Sequence, residues 1–213
     1  MHGASRPRIL IADDHTLIAE AFAKLLASQF DVVATVYDGR SLIETALRLQ
    51  PDVILVDIGM PVLNGFEAAQ RIMRTLPSVK VIYVTVNHDP DLVAEAVRRG
   101  ASGYLPKTAA AAELISAIYR ALNGDCYLSP QLQSTVSSFS SKPVSALSLL
   151  TDRQMEILQL VAEGKSMKEV GAVLSLKRRA VAYHKYRIKK NLHLRSDAQI
   201  VQYAIRHHVV FDS

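Results

Sequence analysis

Five side chains in this sequence have the types and positions for phosphoryl chemistry, and each lies at the end of an apolar run. Asp13 and Asp14 follow RILIA, Asp57 closes VILVD, Thr85 closes VKVIYVT, and Lys107 closes GYLPK. A carboxylate at the end of a buried strand is costly to desolvate unless a positive charge meets it. Three carboxylates in one crevice would raise one another's pKa values. The set therefore calls for a hard divalent cation, Mg²⁺ by its preference for carboxylate, carbonyl and water oxygens, with Lys107 as a fixed charge beside it. Such a site suits phosphoryl capture: an Asp57 oxygen attacks an incoming phosphorus in line, while Mg²⁺, Lys107 and Thr85 stabilise charge on the equatorial oxygens. Taken singly, an Asp at a strand end is a turn former, Lys107 a solvated lysine and Thr85 an ordinary strand residue. Their meeting at one edge is what makes them a site.

The elements that must bring them together are legible in the first half of the chain. Short β-branched runs at 8–12, 32–36, 53–57, 79–85 and 103–107 alternate with amphipathic stretches at 16–29, 40–49, 65–75, 91–99 and 110–122. Five βα repeats predict a doubly wound α/β fold, a five-stranded parallel sheet with helices on both faces. In such sheets ligands collect outside the carboxyl ends of the strands, where all five side chains project.

With the motifs in place, ADD, VDIGMPVLNG, VTV and GYLPK, in that order, resemble the flavodoxin-like receiver domain of bacterial response regulators across residues 6–123. The resemblance implies that Asp57 is phosphorylated by a partner sensor histidine kinase. It further implies that Asp13, Asp14, Asp57 and the Gly59 carbonyl hold Mg²⁺, and that Thr85 and Lys107 bind the phosphoryl group. Tyr104 would be the aromatic switch that turns inward on activation. Two positions depart from the family pattern. Val86 stands where a very small residue is usual and is expected to narrow access to Asp57, and Pro106 restricts the backbone ahead of Lys107.

Composition separates a second module. The chain has 213 residues, 49% of them hydrophobic, and a net charge of +5. Residues 1–128 hold 12 Lys and Arg against 14 Asp and Glu, whereas residues 129–213 hold 13 against 6, net +7. A basic half predicts a polyanionic partner, nucleic acid first. Between the halves, eight serines in the twenty residues 129–148 predict a linker, with Ser129 and Pro130 opening a short helix that carries Leu132, Val136 and Phe139. The division expected is 1–128, 129–147 as linker, and 148–213. No apolar run approaches the roughly 20 residues of a membrane span, the N-terminus lacks a secretory h-region, and Cys126 stands alone, so a cytoplasmic protein without membrane contact is expected.

From residue 151 the pattern is a small all-α unit of four helices, at 152–163, 166–173, 177–192 and 196–207. Thr151 with Gln154, Ser166 with Glu169 and Ser196 with Gln199 each fit a capping box. Residues 148–209 resemble the LuxR-type helix-turn-helix, so that the whole chain looks like a NarL/FixJ-type regulator. In the third helix Val181, His184, Ile188 and Leu192 share the core face. Lys177, Arg178, Arg179, Ala182, Tyr183, Lys185, Tyr186, Lys189 and Lys190 remain for the major groove of double-stranded DNA. Lys177 replaces the usual capping serine, Ala180 a phosphate-contacting threonine and Ala182 a DNA-reading lysine. The function expected is a two-component transcription regulator that is a homodimer when active. The competing readings are a phosphorylation-independent receiver-containing transcription factor and a phosphatase using Asp57 as nucleophile. The latter is opposed by Gly59, which stands where such enzymes of the haloacid dehalogenase type carry a second Asp, and by the lack of a GxxxxGK loop.

Overall fold

The computed structural model describes residues 6–86, 89–132 and 149–210, which fall into two compact units. In the first, β1 (Arg8–Ala12), β2 (Asp31–Val36), β3 (Val53–Val56), β4 (Lys80–Thr85), β5 (Gly103–Pro106) and β6 (Tyr127–Leu128) alternate with α1 (Thr16–Leu26), α2 (Gly39–Leu49), α3 (Gly65–Thr75), α4 (Pro90–Arg98) and α5 (Ala111–Leu122). All strand pairs are parallel, in the order β2-β1-β3-β4-β5-β6. Every residue of β3 is buried, as a strand covered by helices on both faces must be. One face packs Ile9, Ile11, Leu55, Ile82 and Leu105 against Ala19 and Leu26 of α1 and Leu114, Ala117 and Ile118 of α5.

The sheet has six strands, not the five expected. β6 pairs only Tyr127 with Gly103 and Leu128 with Tyr104. Gly124, at φ +92°, turns the chain after α5 so that these two residues lie along β5. Two residues are too few to show an alternation, so the strand carries no periodic signal. Residues 130–132 are helical as expected after Ser129, while Val136, Phe139 and the rest of the Ser-rich stretch lie outside the described residues.

The second unit holds α6 (Asp152–Ala162), α7 (Met167–Leu174), α8 (Arg178–Asn191) and α9 (Asp197–Arg206) around a core that includes Ile157, Leu158, Val170, Leu174, Val181, Ile188 and Ile200. Thr151 and Ser166 form full capping boxes. Ser196 forms half of one: its Oγ accepts from Gln199 N, but the Gln199 side chain accepts from the N–H of Arg195, one residue earlier than the box requires. The tight turn between α7 and α8 depends on Gly171, where a Cβ would lie 2.7 Å from the Leu176 carbonyl oxygen. Ser175, at φ +54°, closes α7 in the left-handed conformation.

Candidate functional site

The acidic site is built by ladder hydrogen bonds that continue one residue past the strands. Asp13 N donates to Val36 O, Asp57 N to Ala12 O, and Lys107 N to Thr85 O, so the ends of β1, β3, β4 and β5 deliver their side chains to one rim. Asn64 caps α3 by accepting from Glu67 N, and Gly65 N donates to Ile58 O, which folds the loop after Asp57 back on itself. Space there is minimal. A Cβ on Gly65 would lie 2.1 Å from the Asp57 carbonyl oxygen, and one on Gly39 would lie 1.9 Å from that of Leu63. Within the loop Val62 sits at φ +69°, unusual for a β-branched residue, and Leu63 N donates to Pro61 O across it.

Lys107 answers the charge problem posed by Asp57. Its Nζ lies 2.8 Å from Asp13 Oδ1 and 3.0 Å from Asp57 Oδ2, and all three side chains are almost wholly buried. Burial nonetheless pushes the Asp57 carboxyl above its ordinary pKa, Lys107 opposing the rise and Asp13 and Asp14 adding to it. Asp57 Oδ1 is buried and accepts no hydrogen bond from any described residue. Asp13, Asp14, His15 and Asp57 each offer a ligand atom, all within 4.8 Å of one another. The three carboxylates are hard oxygen donors, with one buried oxygen of Asp57 to spare and an imidazole nitrogen beside them, and they fit a divalent cation. His15 was not among the expected residues. Its Nδ1 lies 2.9 Å from Asp14 Oδ1 and 3.3 Å from Asp13 Oδ1, and its place directly after two aspartates was the available signal.

Thr85 is buried at the same rim, and Gly59 is exposed in the loop. Val86 projects to solvent, 68% exposed. Tyr104 is fully buried, its ring centroid 6.4 Å from that of Tyr83, which lies 4.8 Å from Phe66. Burial pushes both tyrosine hydroxyls up.

The second unit presents the opposite electrostatics. On α8, Arg178, Arg179, Ala182, Tyr183, Tyr186 and Lys190 are exposed, as is Lys177 at its N-cap, where no side chain caps the helix. Val181 and Ile188 are buried in the core, and His184 is half-buried beside them. Lys185 and Lys189, counted with the outward face from sequence, are half-buried on its flank and pair with Asp197. Arg187 is exposed and joins the basic surface. It was missed although it lies four residues from Tyr183 on the same helical face.

A parallel sheet with an acidic, lysine-bridged rim, followed by a helix-turn-helix with a basic third helix, defines a signalling receiver joined to a DNA-binding module. Comparison with known families agrees: residues 9–119 match the response regulator receiver domain, and residues 148–204 match the luxR family of bacterial regulatory proteins. The transcriptional regulatory protein LiaR of Bacillus subtilis is 36% identical over 208 residues, covering 95% of this chain and 99% of that protein. The response regulator GacA of Pseudomonas viridiflava is 31% identical over 208 residues, covering 95% and 97%. Among solved structures, a LuxR-family two-component response regulator from Aurantimonas superposes with a TM-score of 0.60 at 27% identity, covering 62% of this chain and 96% of that one. The chain belongs to the response regulator family, in the branch with a LuxR-type DNA-binding domain. It is a two-component transcription regulator and not an enzyme.

Proposed function

We propose that phosphorylation of Asp57 by a partner histidine kinase controls dimerisation and DNA affinity, with residues 1–128 as receiver, 129–147 as linker and 148–213 as DNA-binding domain, acting in the cytoplasm. The observation that carries this reading is the Lys107 bridge between Asp13 and Asp57, which offsets part of the rim's negative charge while leaving Asp57 Oδ1 unpaired. That oxygen forms the new P–O bond in line with the breaking P–N bond of the donor phosphohistidine, whose imidazole nitrogen leaves with the electron pair. Lys107 shares its charge with the incoming phosphoryl oxygens, and the Thr85 hydroxyl donates to one of them. Asp13, Asp14, Asp57 and the Gly59 carbonyl would hold Mg²⁺, which when bound neutralises phosphoryl charge.

The acyl phosphate carries roughly −1.5 to −2 charges where the free carboxylate carried −1, beside a rim that already sets Asp13 and Asp14 against a single lysine. Drawing Thr85 toward it favours the buried position of Tyr104 and shifts the surface of α4, β5 and α5, across which a dimer forms and reads two DNA half-sites. On α8, Arg179 meets phosphate and Tyr186 meets bases. The test measures DNA affinity and oligomeric mass with and without a small phosphodonor and Mg²⁺. Tighter binding by a dimer is expected after phosphorylation. Equal affinity and mass in both states would favour a regulator that ignores phosphate. In the same titrations Arg179→Ala weakens all sequences alike and reduces the salt slope by about 1, whereas Tyr186→Ala changes sequence preference. Equal effects of both changes on every sequence would refute that division.

A further inference from the structure

The cations of α8 fall into two groups. Lys177, Arg178, Arg179, Arg187 and Lys190 are exposed and form no ion pair with another described residue. Lys185 and Lys189 instead reach Asp197, the first residue of α9, with Lys185 Nζ 2.5 Å from Oδ2 and Lys189 Nζ 2.6 Å from Oδ1. The four-residue step stacks the two lysines on one flank of the helix, so a single carboxylate satisfies both. Hydrogen bonds from the two lysines hold the Asp197 carboxyl below the usual carboxylate range, so it stays ionised at neutral pH. The Asp197 side chain is 58% exposed. Ion pairs this open to water contribute little to stability. Their consequence lies elsewhere, because a carboxylate and a DNA phosphate compete for the same ammonium groups, and every lysine neutralised internally is one fewer that releases a counterion from DNA.

We infer that Asp197 sets the DNA affinity of this regulator: it is an internal counter-anion that occupies Lys185 and Lys189 in place of phosphates and weakens binding to every sequence alike. The inference rests on the reading of α8 as the DNA-facing helix. Its consequence is an element of self-limitation within the DNA-binding unit, separate from phosphorylation at Asp57.

The test uses the full chain and a mixed-sequence DNA duplex, with affinity measured between about 50 and 200 mM salt. Asp197→Asn frees two lysines, so its plot of log affinity against log salt steepens by roughly 2, and it loses about tenfold more affinity than wild type across that interval. Adding Lys185→Met and Lys189→Met to Asp197→Asn returns the slope to the wild-type value. The same two lysine changes with Asp197 intact leave the slope near wild type, a result that needs no Asp197 variant to fold. An unchanged slope in folded Asp197→Asn overturns the inference. So does a gain that persists without the lysines, which would reflect general repulsion by the carboxylate, or a slope flattened by roughly 2 when the lysines alone are removed. Wild type serves as the internal standard. If it shows no salt-dependent binding at all, the reading of α8 fails and takes the inference with it, whereas wild-type binding with no change in the variants defeats the inference alone.

Discussion

The two halves of this molecule handle surplus charge in opposite ways. At the rim of the sheet, Asp13 and Asp57 are buried and share one buried lysine, so the charges are partly offset within the fold. On α8, five cations face solvent without an acidic partner among the described residues, and only Lys185 and Lys189 are matched, by Asp197. Burial explains the difference. A charge taken out of water must be compensated internally, whereas a solvated one is tolerable and stays available to an external polyanion. The first region is consequently a site whose lysine cannot be removed cheaply, and the second a surface whose unpaired cations act additively.

That contrast can be broken most severely at Lys107. Replacing it with Ala leaves two buried carboxylates facing each other, and urea denaturation without divalent ions should show a loss of about 3–5 kcal/mol. Arg179→Ala on the exposed helix should change stability by no more than about 0.5 kcal/mol, and a comparable loss at both positions would erase the distinction. The loop beside Asp57 gives a smaller effect of opposite sign. Val62 holds φ +69°, and Val62→Gly should raise stability by about 1 kcal/mol through relief of that strain. Unchanged stability would mean that the turn costs nothing.

Smaller again is Lys177→Ser, which supplies the missing cap to α8 and removes a cation from its N-terminus. Hydrogen exchange of the α8 amides should slow by an amount corresponding to about 0.5–1 kcal/mol, while DNA binding weakens. Affinity rising along with helix stability would show that capping, not charge, limits binding.

Acidity sharpens the comparison further. Because burial raises the Asp57 pKa above the ordinary 3.8, its folding contribution is fully present below that ordinary value and is lost as pH rises through the folded one. At neutral pH, without divalent ions, the ionised carboxylate therefore costs stability. Asp57→Asn should melt above wild type there, with the gap closing as pH falls toward the ordinary carboxylate range. A gap that widened on acidification would contradict the direction of the shift.

The sequence disclosed the acidic site more fully than the basic one, for physical reasons. Asp13, Asp57, Thr85 and Lys107 end strands, so parallel pairing alone carries them to one edge once the βα alternation is recognised. Caps were equally legible where they are local, as at Thr151 and Ser166, and formed by half at Ser196, whose Oγ accepts from Gln199 N while the Gln199 side chain takes the neighbouring N–H of Arg195. β6 escaped because two residues have no period. The tie between Lys185, Lys189 and Asp197 escaped because it spans two helices, and no spacing within α8 announces a partner in α9. Tertiary pairings of exposed side chains are where local pattern stops being informative.

The role of Asp57 as the phosphoryl acceptor is tested most directly by incubating wild type and Asp57→Asn with a small phosphodonor, with Mg²⁺ or with a chelator, and following acid-labile phosphate by intact mass. A single phosphoryl group is expected on wild type with Mg²⁺ and none in the other three combinations. Equal phosphate on Asp57→Asn, or undiminished uptake by wild type in chelator, would contradict it.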